Sequence, residues 1–131
     1  MILVDTSVLI DFFKGIDNHA TSKFEYILKN TIPFGINSFI FQEVLQGAKT
    51  DKEFATLKKY LNTQRFYYLQ DPIRSFEKAA KIYFDCRRKG ITIRSTIDCL
   101  IAQTTVEHNL YLLHNDSDFV NITKVVSLKF Y

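Results

Sequence analysis

The N-terminal stretch Met1-Ile-Leu-Val-Asp5-Thr-Ser-Val-Leu9 decides how the rest of the chain is interpreted. Its residues 2–4 are a short, wholly apolar run, typical of a strand buried on both faces of a parallel sheet. Asp5 follows this run directly. Ligands of open α/β sheets bind beyond the carboxyl ends of the strands, so Asp5 lies where a functional carboxylate is expected.

The alternation of strand and helix continues along the whole chain. Further strands are predicted at residues 34–36, 66–69, 110–113 and 125–128, the last of them at an edge of the sheet. Helices are predicted at residues 7–13, 17–28, 38–46, 71–89 and 95–108, with another that begins at Asp51. This pattern predicts an α/β fold with a parallel sheet covered by helices on both faces.

Length and composition favour a single globular domain over residues 1–131. The chain is 47% hydrophobic and 24% charged, and it contains no run of the ~20 apolar residues that a membrane span needs. Its two cysteines lack metal-ligand spacing and predict reduced thiols in a cytoplasmic protein. The 17 basic residues would form a basic body around an acidic site, although a net charge of +3 is unremarkable by itself.

Carboxylates recur at the positions where this topology would bring them together. They are Asp5, Glu43, Asp98, Asp116 and Asp118. Each acid alone has a structural explanation as a helix cap, a solvated helix residue or a turn residue. Together they would repel one another unless a cation binds, and oxygen ligands suit Mg²⁺ or Mn²⁺. Such an ion can lower the pKa of a bound water for attack on phosphorus, which predicts metal-dependent phosphodiester hydrolysis.

Four motifs carry a resemblance to a known family. They are Val4–Leu9 (VDTSVL), Ser38–Gly47 (SFIFQEVLQG), Ile97–Ala102 (IDCLIA) and Leu113–Phe119 (LHNDSDF). Their order and spacing resemble those of PIN-domain nucleases, and most closely those of the VapC toxins of prokaryotic toxin–antitoxin pairs. The resemblance implies a three-layer α/β/α sandwich and an endoribonuclease that cuts RNA, commonly transfer or ribosomal RNA. It also implies a homodimer and a small DNA-binding antitoxin of the VapB type as partner.

The resemblance further implies roles for individual residues. The catalytic acids would be Asp5, Glu43, Asp98 and Asp116, and the metal ligands would be Asp5, Asp98, Asp116 and Asp118. It leaves open whether Asp116 or Asp118 lies closer to the metal. Ser7 matches a hydroxyl position that would bond a carboxylate or a metal-bound water, and we group it with the substrate-binding residues.

Basic residues near the Asp98 helix are candidates for contact with RNA phosphates. Arg87 and Arg88 lie at the end of one predicted helix, and Arg94 precedes the next. A solvated helix end, where cations are favoured by the helix dipole, explains Arg87 and Arg88 about equally well.

Other functions fit the residues less well. A haloacid-dehalogenase-type phosphatase needs a second aspartate at the position of Ser7, and a phospho-receiver domain needs paired acids where Asp5 stands alone. A PIN-like domain retained only for binding would have lost one of its acids, and none is missing here. An RNA-processing nuclease that is not a toxin is a further alternative, which a neighbouring antitoxin gene would exclude.

Overall fold

The computed structural model describes residues 1–131, which form five strands and seven helices. The strands are β1 (Ile2–Val4), β2 (Phe34–Ile36), β3 (Arg65–Phe66), β4 (Tyr111–Leu113) and β5 (Lys129–Phe130). The helices are α1 (Thr6–Phe13), α2 (His19–Lys29), α3 (Ser38–Gln46), α4 (Asp51–Asn62), α5 (Arg74–Arg88), α6 (Thr96–Glu107) and α7 (Ser117–Ile122).

The five strands form one sheet in the order β3-β2-β1-β4-β5, and every pair of neighbours is parallel. Ile2 in the central strand lies opposite Phe34 on one side and Tyr111 on the other. All three residues of β1 are buried. Because successive side chains of a strand point to opposite faces, their burial means that both faces of the sheet are covered. The predicted α/β/α sandwich is confirmed.

The strand order reverses direction between β1 and β4. The chain runs outward from β1 to β2 and β3, and then crosses back to β4 and β5 on the other side. Right-handed crossovers therefore put α1–α4 on one face and α5–α7 on the other. The carboxyl ends of β1 and β4 flank a crevice at this switch point, which is the usual ligand position in such sheets.

A core of 26 buried hydrophobic residues holds the sheet and helices together. Phe24 of α2 is fully buried and packs edge-to-face against Phe34 of β2, with the ring centroids 5.2 Å apart. Gly35 has no room for a side chain, because an added Cβ would lie 2.6 Å from Cε2 of Tyr67. No helix is both long and apolar enough to cross a lipid bilayer.

The structure corrects the predicted bounds of two strands. The strand predicted at 125–128 is wrong, because the amides of Val125 and Val126 both bond the carbonyl of Ile122 in turns that follow α7. The edge strand is Lys129–Phe130, which pairs with β4. The strand predicted at 66–69 is shifted, since only residues 65 and 66 pair with β2 before the chain leaves the sheet.

Three helix starts also differ from the prediction. The helix α5 begins at Arg74 rather than at Asp71-Pro72, and Asp71 holds the turn before it, as its Oδ1 accepts hydrogen bonds from the amides of Ile73 and Arg74. The helix predicted from residue 17 begins at His19, and Asn18 caps it through a capping box with Thr21. The sequence does not predict α7 (Ser117–Ile122), which has only six residues.

Candidate active site

An acidic pocket lies at the switch point of the sheet. Asp5 directly follows β1 and caps α1, and Asp116 follows β4 and caps α7. Asp98 lies in the first turn of α6, and Asp118 in the first turn of α7. Helix N-termini carry partial positive charge, so each helix start favours the carboxylate beside it. The structure brings carboxylate oxygens of Asp98, Asp116 and Asp118 together, and the charge of Asp5 acts on Asp98.

Asp5 is held in one orientation by Ser7. Its Oδ2 accepts hydrogen bonds from the Ser7 amide at 3.0 Å and from the Ser7 hydroxyl at 2.6 Å. Its Oδ1 is buried and has no hydrogen-bond partner. Burial raises the pKa of Asp5 to about 6, although the bonds from Ser7 act to lower it and the charge of Glu43 adds to the rise. The predicted bond between Ser7 and a carboxylate is therefore present.

Glu43 reaches the pocket from α3, where it is half-buried. The hydroxyl of Thr6 donates a hydrogen bond to Glu43 Oε1 at 2.8 Å, which leaves Oε2 available. The hydroxyl of Ser7 also accepts a bond from the amide of Asn115 at 3.0 Å, so the start of α1 is tied to the loop after β4. The sequence interpretation missed Thr6, although its place between Asp5 and Ser7 was a signal.

Asp98 is 6% exposed, and its Oδ2 is buried without a partner. Burial raises its pKa well above the ordinary value, and two further causes are a hydrogen bond with Asp118 and the negative charges of the neighbouring acids. The raised pKa favours the protonated form of Asp98 when no cation is present. The charges of Asp98 and Asp5 face each other, and neither carboxyl contacts a basic side chain. We call Asp5 and Asp98 the cation-free pair.

Asp118 is equally buried but fully bonded. Its Oδ2 accepts bonds from the amides of Arg94 and Ser95 at 3.0 and 3.3 Å, and its Oδ1 accepts one from Arg94 Nε at 3.2 Å. Burial alone would raise the pKa of Asp118, but the hydrogen bonds from Asp98, Arg94 and Ser95 hold it below the ordinary value.

Arg94 also contacts the second acid of α7. Its Nη2 lies 2.6 Å from Asp116 Oδ1, which also accepts a bond from the amide of Asp118 at 2.9 Å. The amide of Asp116 donates to His114 Nδ1 at 3.1 Å, which fixes the loop before the cap. We call Asp116 and Asp118 the arginine-bound pair.

The donor set suits a divalent cation with a preference for oxygen. Carboxylate oxygens of Asp98, Asp116 and Asp118 lie within 4.8 Å of one another. Asp5 Oδ1 and Asp98 Oδ2 are buried oxygens without partners, and a buried unpaired carboxylate oxygen is costly unless a proton or a metal satisfies it. Hard oxygen ligands of this kind are those that Mg²⁺ and Mn²⁺ prefer.

Two predicted substrate-binding residues do not touch the acids. Arg87 and Arg88 are exposed at the end of α5, with their guanidinium carbons 5.8 Å from the ring centroid of Tyr83 and 5.7 Å from that of Phe84.

The predicted thiols at Cys86 and Cys99 are free and buried, and burial raises the pKa of Cys99 to about 12. These cysteines thus serve the core rather than the pocket.

Comparison with known proteins agrees with this geometry. The sequence model of the PIN domain matches residues 2–125. The chain is 33% identical over 130 residues to the VapC ribonuclease Mb1587 of Mycobacterium bovis, which covers 98% of this chain and 96% of that protein. Ribonuclease VapC11 of Mycobacterium tuberculosis strain H37Rv gives the same identity and coverage.

Solved structures share the fold over the full length of the chain. VapBC2 from Rickettsia felis, bound to a DNA fragment from its promoter, aligns with a TM-score of 0.72 and 19% identity. That alignment covers 100% of this chain and 98% of the other. A toxin–antitoxin complex from Klebsiella pneumoniae aligns with a TM-score of 0.69 and 23% identity, covering 100% of both chains.

Proposed function

Because the chain belongs to the PIN domain family, we propose that it is a metal-dependent endoribonuclease and the toxin of a VapBC-type toxin–antitoxin pair. The observation that carries this proposal is the cation-free pair. Asp5 Oδ1 and Asp98 Oδ2 are buried in one acidic pocket with no hydrogen-bond partner. Two such atoms lower the stability of the folded protein, and a bound divalent cation would offset this loss.

The proposed metal ligands are Asp5 and Asp98, with Asp116 and Asp118 beside them. A bound Mg²⁺ or Mn²⁺ would lower the pKa of a water and neutralise charge that develops on the phosphate. The protein's own groups prepare this site. Ser7 fixes the orientation of Asp5, and positive charge in the pocket would favour the ionised form of Asp98.

Glu43 is the proposed acceptor of the proton from the attacking water. Thr6 holds one of its oxygens at 2.8 Å and leaves the other free, which suits a carboxylate that must orient a water. The pocket contains no serine or cysteine activated by a paired histidine base: Ser7 bonds a carboxylate, and the cysteines are buried. Hydrolysis by water therefore fits these residues better than a covalent intermediate.

The RNA backbone is proposed to bind along the end of α5. Arg88, Lys89 and Lys124 line one cavity of about 430 Å³, and Arg87 is exposed one residue earlier. Lys89 Nζ donates a hydrogen bond to the carbonyl of Lys124 at 3.0 Å, and Lys124 follows α7, the helix whose first turn contains Asp118, so α7 connects this basic surface to the acidic pocket. Phosphate contacts of this kind bind RNA without reading its sequence, and transfer or ribosomal RNA are the proposed targets.

The proposed partners follow from the same family. A small DNA-binding antitoxin of the VapB type would bind this chain, as the structural relatives include toxin–antitoxin complexes. A homodimer is also proposed, and the exposed Phe76 and Phe84 of α5 offer apolar surface for it. A cytoplasmic location accompanies an RNA target of this kind.

Cleavage of a total small-RNA pool tests the proposal. Purified protein, free of antitoxin, is incubated with Mg²⁺, Mn²⁺ or EDTA beside the variant Asp98→Asn. We expect discrete fragments that require metal and that disappear in the variant, because the amide cannot replace a charged ligand. Asp51→Asn is the matched control, since Asp51 is a first-turn acid of α4 outside the pocket, and it should cut like the wild type.

Absence of cleavage with either metal, by protein whose circular dichroism shows it folded, would favour a binding domain instead. Cleavage that persists in Asp98→Asn would remove Asp98 from the site. Growth arrest on expression of the wild type, but not of Asp98→Asn, would distinguish a toxin from an RNA-processing factor.

A further inference from the structure

We infer that Arg94 is a tethered cation that neutralises the arginine-bound pair in the metal-free protein and is displaced when a divalent ion binds. The inference rests on the proposed metal site and adds to it a competitor that the chain itself supplies. It assigns Arg94 a role before RNA binding, in addition to the phosphate contact predicted from the sequence.

The position of the guanidinium carries the first step. Arg94 Nη2 contacts Asp116 Oδ1 at 2.6 Å, and Nε contacts Asp118 Oδ1 at 3.2 Å. Both contacted oxygens belong to acids of the cluster formed by Asp98, Asp116 and Asp118, in which one carboxylate oxygen of each lies within 4.8 Å of the others. The guanidinium thus spans the two carboxylates that a metal at this cluster would use.

The guanidinium can leave without disturbing the fold. The Arg94 side chain is 66% exposed, and its other polar contact is Ser117 Oγ at 3.3 Å. Asp118 stays in place without it, because the amides of Arg94 and Ser95 continue to hold Asp118 Oδ2. The side chain is therefore separable from the backbone clamp that positions Asp118.

Electrostatic repulsion prevents the Arg94 guanidinium and a divalent ion from binding the same carboxylates at the same time. A divalent ion bound to Asp116 Oδ1 would meet the guanidinium at that same oxygen, and like charges a few ångströms apart repel strongly at the edge of a protein. The guanidinium also has a role in the metal-free protein, because it neutralises Asp116 and Asp118. Without it, Asp116 and Asp118 would add two charges with no cation beside them to a pocket in which Asp5 Oδ1 and Asp98 Oδ2 already lack hydrogen-bond partners.

Release of Arg94 has a consequence for RNA. A guanidinium freed from two carboxylates, next to a bound metal, presents planar paired donors that match a phosphate. Metal binding would in this way create a phosphate-binding group at the mouth of the pocket.

Mn²⁺ affinity in the absence of RNA tests the exchange. Free Mn²⁺ is measured by electron paramagnetic resonance during titration of wild-type protein, Arg94→Ala and the charge-matched control Arg74→Ala, whose arginine is exposed at the far end of α5. We expect Arg94→Ala to bind Mn²⁺ about fivefold more tightly than both, which corresponds to an exposed ion pair of about 1 kcal/mol. Equal or weaker binding by Arg94→Ala would overturn the inference.

A second measurement uses the wild-type protein and does not depend on a variant that folds. The Nε–Hε resonance of Arg94, assigned in the wild-type protein through its side-chain carbons from the backbone resonances, is followed by nuclear magnetic resonance as Mg²⁺ is added. We expect it to move toward the position of a free arginine in step with the backbone amides of the pocket. An unmoved resonance at saturating Mg²⁺ would overturn the exchange. Neither readout needs RNA, so a failure to cut RNA would defeat the proposed function separately.

Discussion

The two acid pairs of the pocket differ in whether the negative charge of their carboxylates is neutralised by a basic side chain. Asp116 and Asp118 are bonded to Arg94 and to backbone amides, whereas Asp5 and Asp98 each keep one buried oxygen without a partner. Their pKa values diverge accordingly: those of Asp5 and Asp98 are raised by burial, and that of Asp118 is lowered by its hydrogen bonds. The arginine-bound pair is stable in the metal-free protein, and the cation-free pair is destabilising until a cation binds.

This difference indicates that the cation-free pair lowers the stability of the fold and is kept for function. A buried carboxylate kept only for structure acquires partners, as Asp118 does. In the cation-free pair, Asp5 Oδ2 is bonded by Ser7, but Asp5 Oδ1 and Asp98 Oδ2 remain buried without a partner. Selection for a metal site explains such an arrangement better than selection for stability alone.

Asp5→Asn should give the largest effect, because it removes a charge from the cation-free pair. We expect RNA cleavage to fall at least about 100-fold, since a proposed metal ligand is lost. In EDTA the variant should be more stable than the wild type. The pKa of Asp5 rises from 3.8 to about 6 on folding, which corresponds to about 3 kcal/mol in favour of the neutral form. Asparagine keeps the neutral form at every pH and still caps α1.

The sign of this effect follows from linkage. A raised carboxyl pKa stabilises the folded protein fully below pH 3.8, and that stability is lost as the pH rises through about 6. Urea unfolding in EDTA from pH 3.5 to 7.5 should therefore show no advantage of Asp5→Asn at acidic pH and the full advantage above pH 6. Asp17→Asn, at an exposed acid, should follow the wild type throughout. A constant difference between Asp5→Asn and wild type across this range would contradict the origin we assign to it.

The cation-free pair was largely predictable from the sequence. Asp5 follows an apolar run that can only be a buried strand, and Asp98 lies at the start of a long helix, so local patterns fix both positions. The burial of Glu43 among apolar residues of α3 was also a local signal. Topology then brings these acids to one edge of the sheet, because parallel strands end on the same side.

The arginine-bound pair was not predictable in the same way. Its defining contacts join residues 22 and 24 positions apart, and no local pattern shows that Arg94 turns toward Asp116 and Asp118. Helix α7 has only six residues, too few for a helical repeat of apolar positions. Strand β5 has two residues, so its place depends on the free edge of β4 rather than on alternation along the sequence.

Thr6→Val should give an intermediate effect that sharpens the role of Glu43. Valine keeps the shape of the buried Thr6 but removes its hydrogen bond to Glu43 Oε1. A hydrogen bond to a charged group contributes about 1.5 kcal/mol, so kcat should fall roughly tenfold while KM stays the same. Thr56→Val is the control, because Thr56 is exposed on α4 and bonds only the carbonyl of Lys52. A rise in KM with kcat unchanged would assign Thr6 to substrate binding instead.

The smallest effect should come from the basic surface at the end of α5. Arg87→Ala with Arg88→Ala should weaken RNA binding and reduce its salt dependence, because each lost phosphate contact on a single strand lowers the logarithmic salt slope by about 0.7. Fluorescence anisotropy with a labelled RNA fragment in EDTA, at several salt concentrations, gives this slope. Lys58→Ala with Lys59→Ala removes the same charge from the exposed face of α4 and should leave the slope unchanged. If both double variants change the slope equally, the attraction is a property of the net charge; if only the first does, RNA binds along the end of α5.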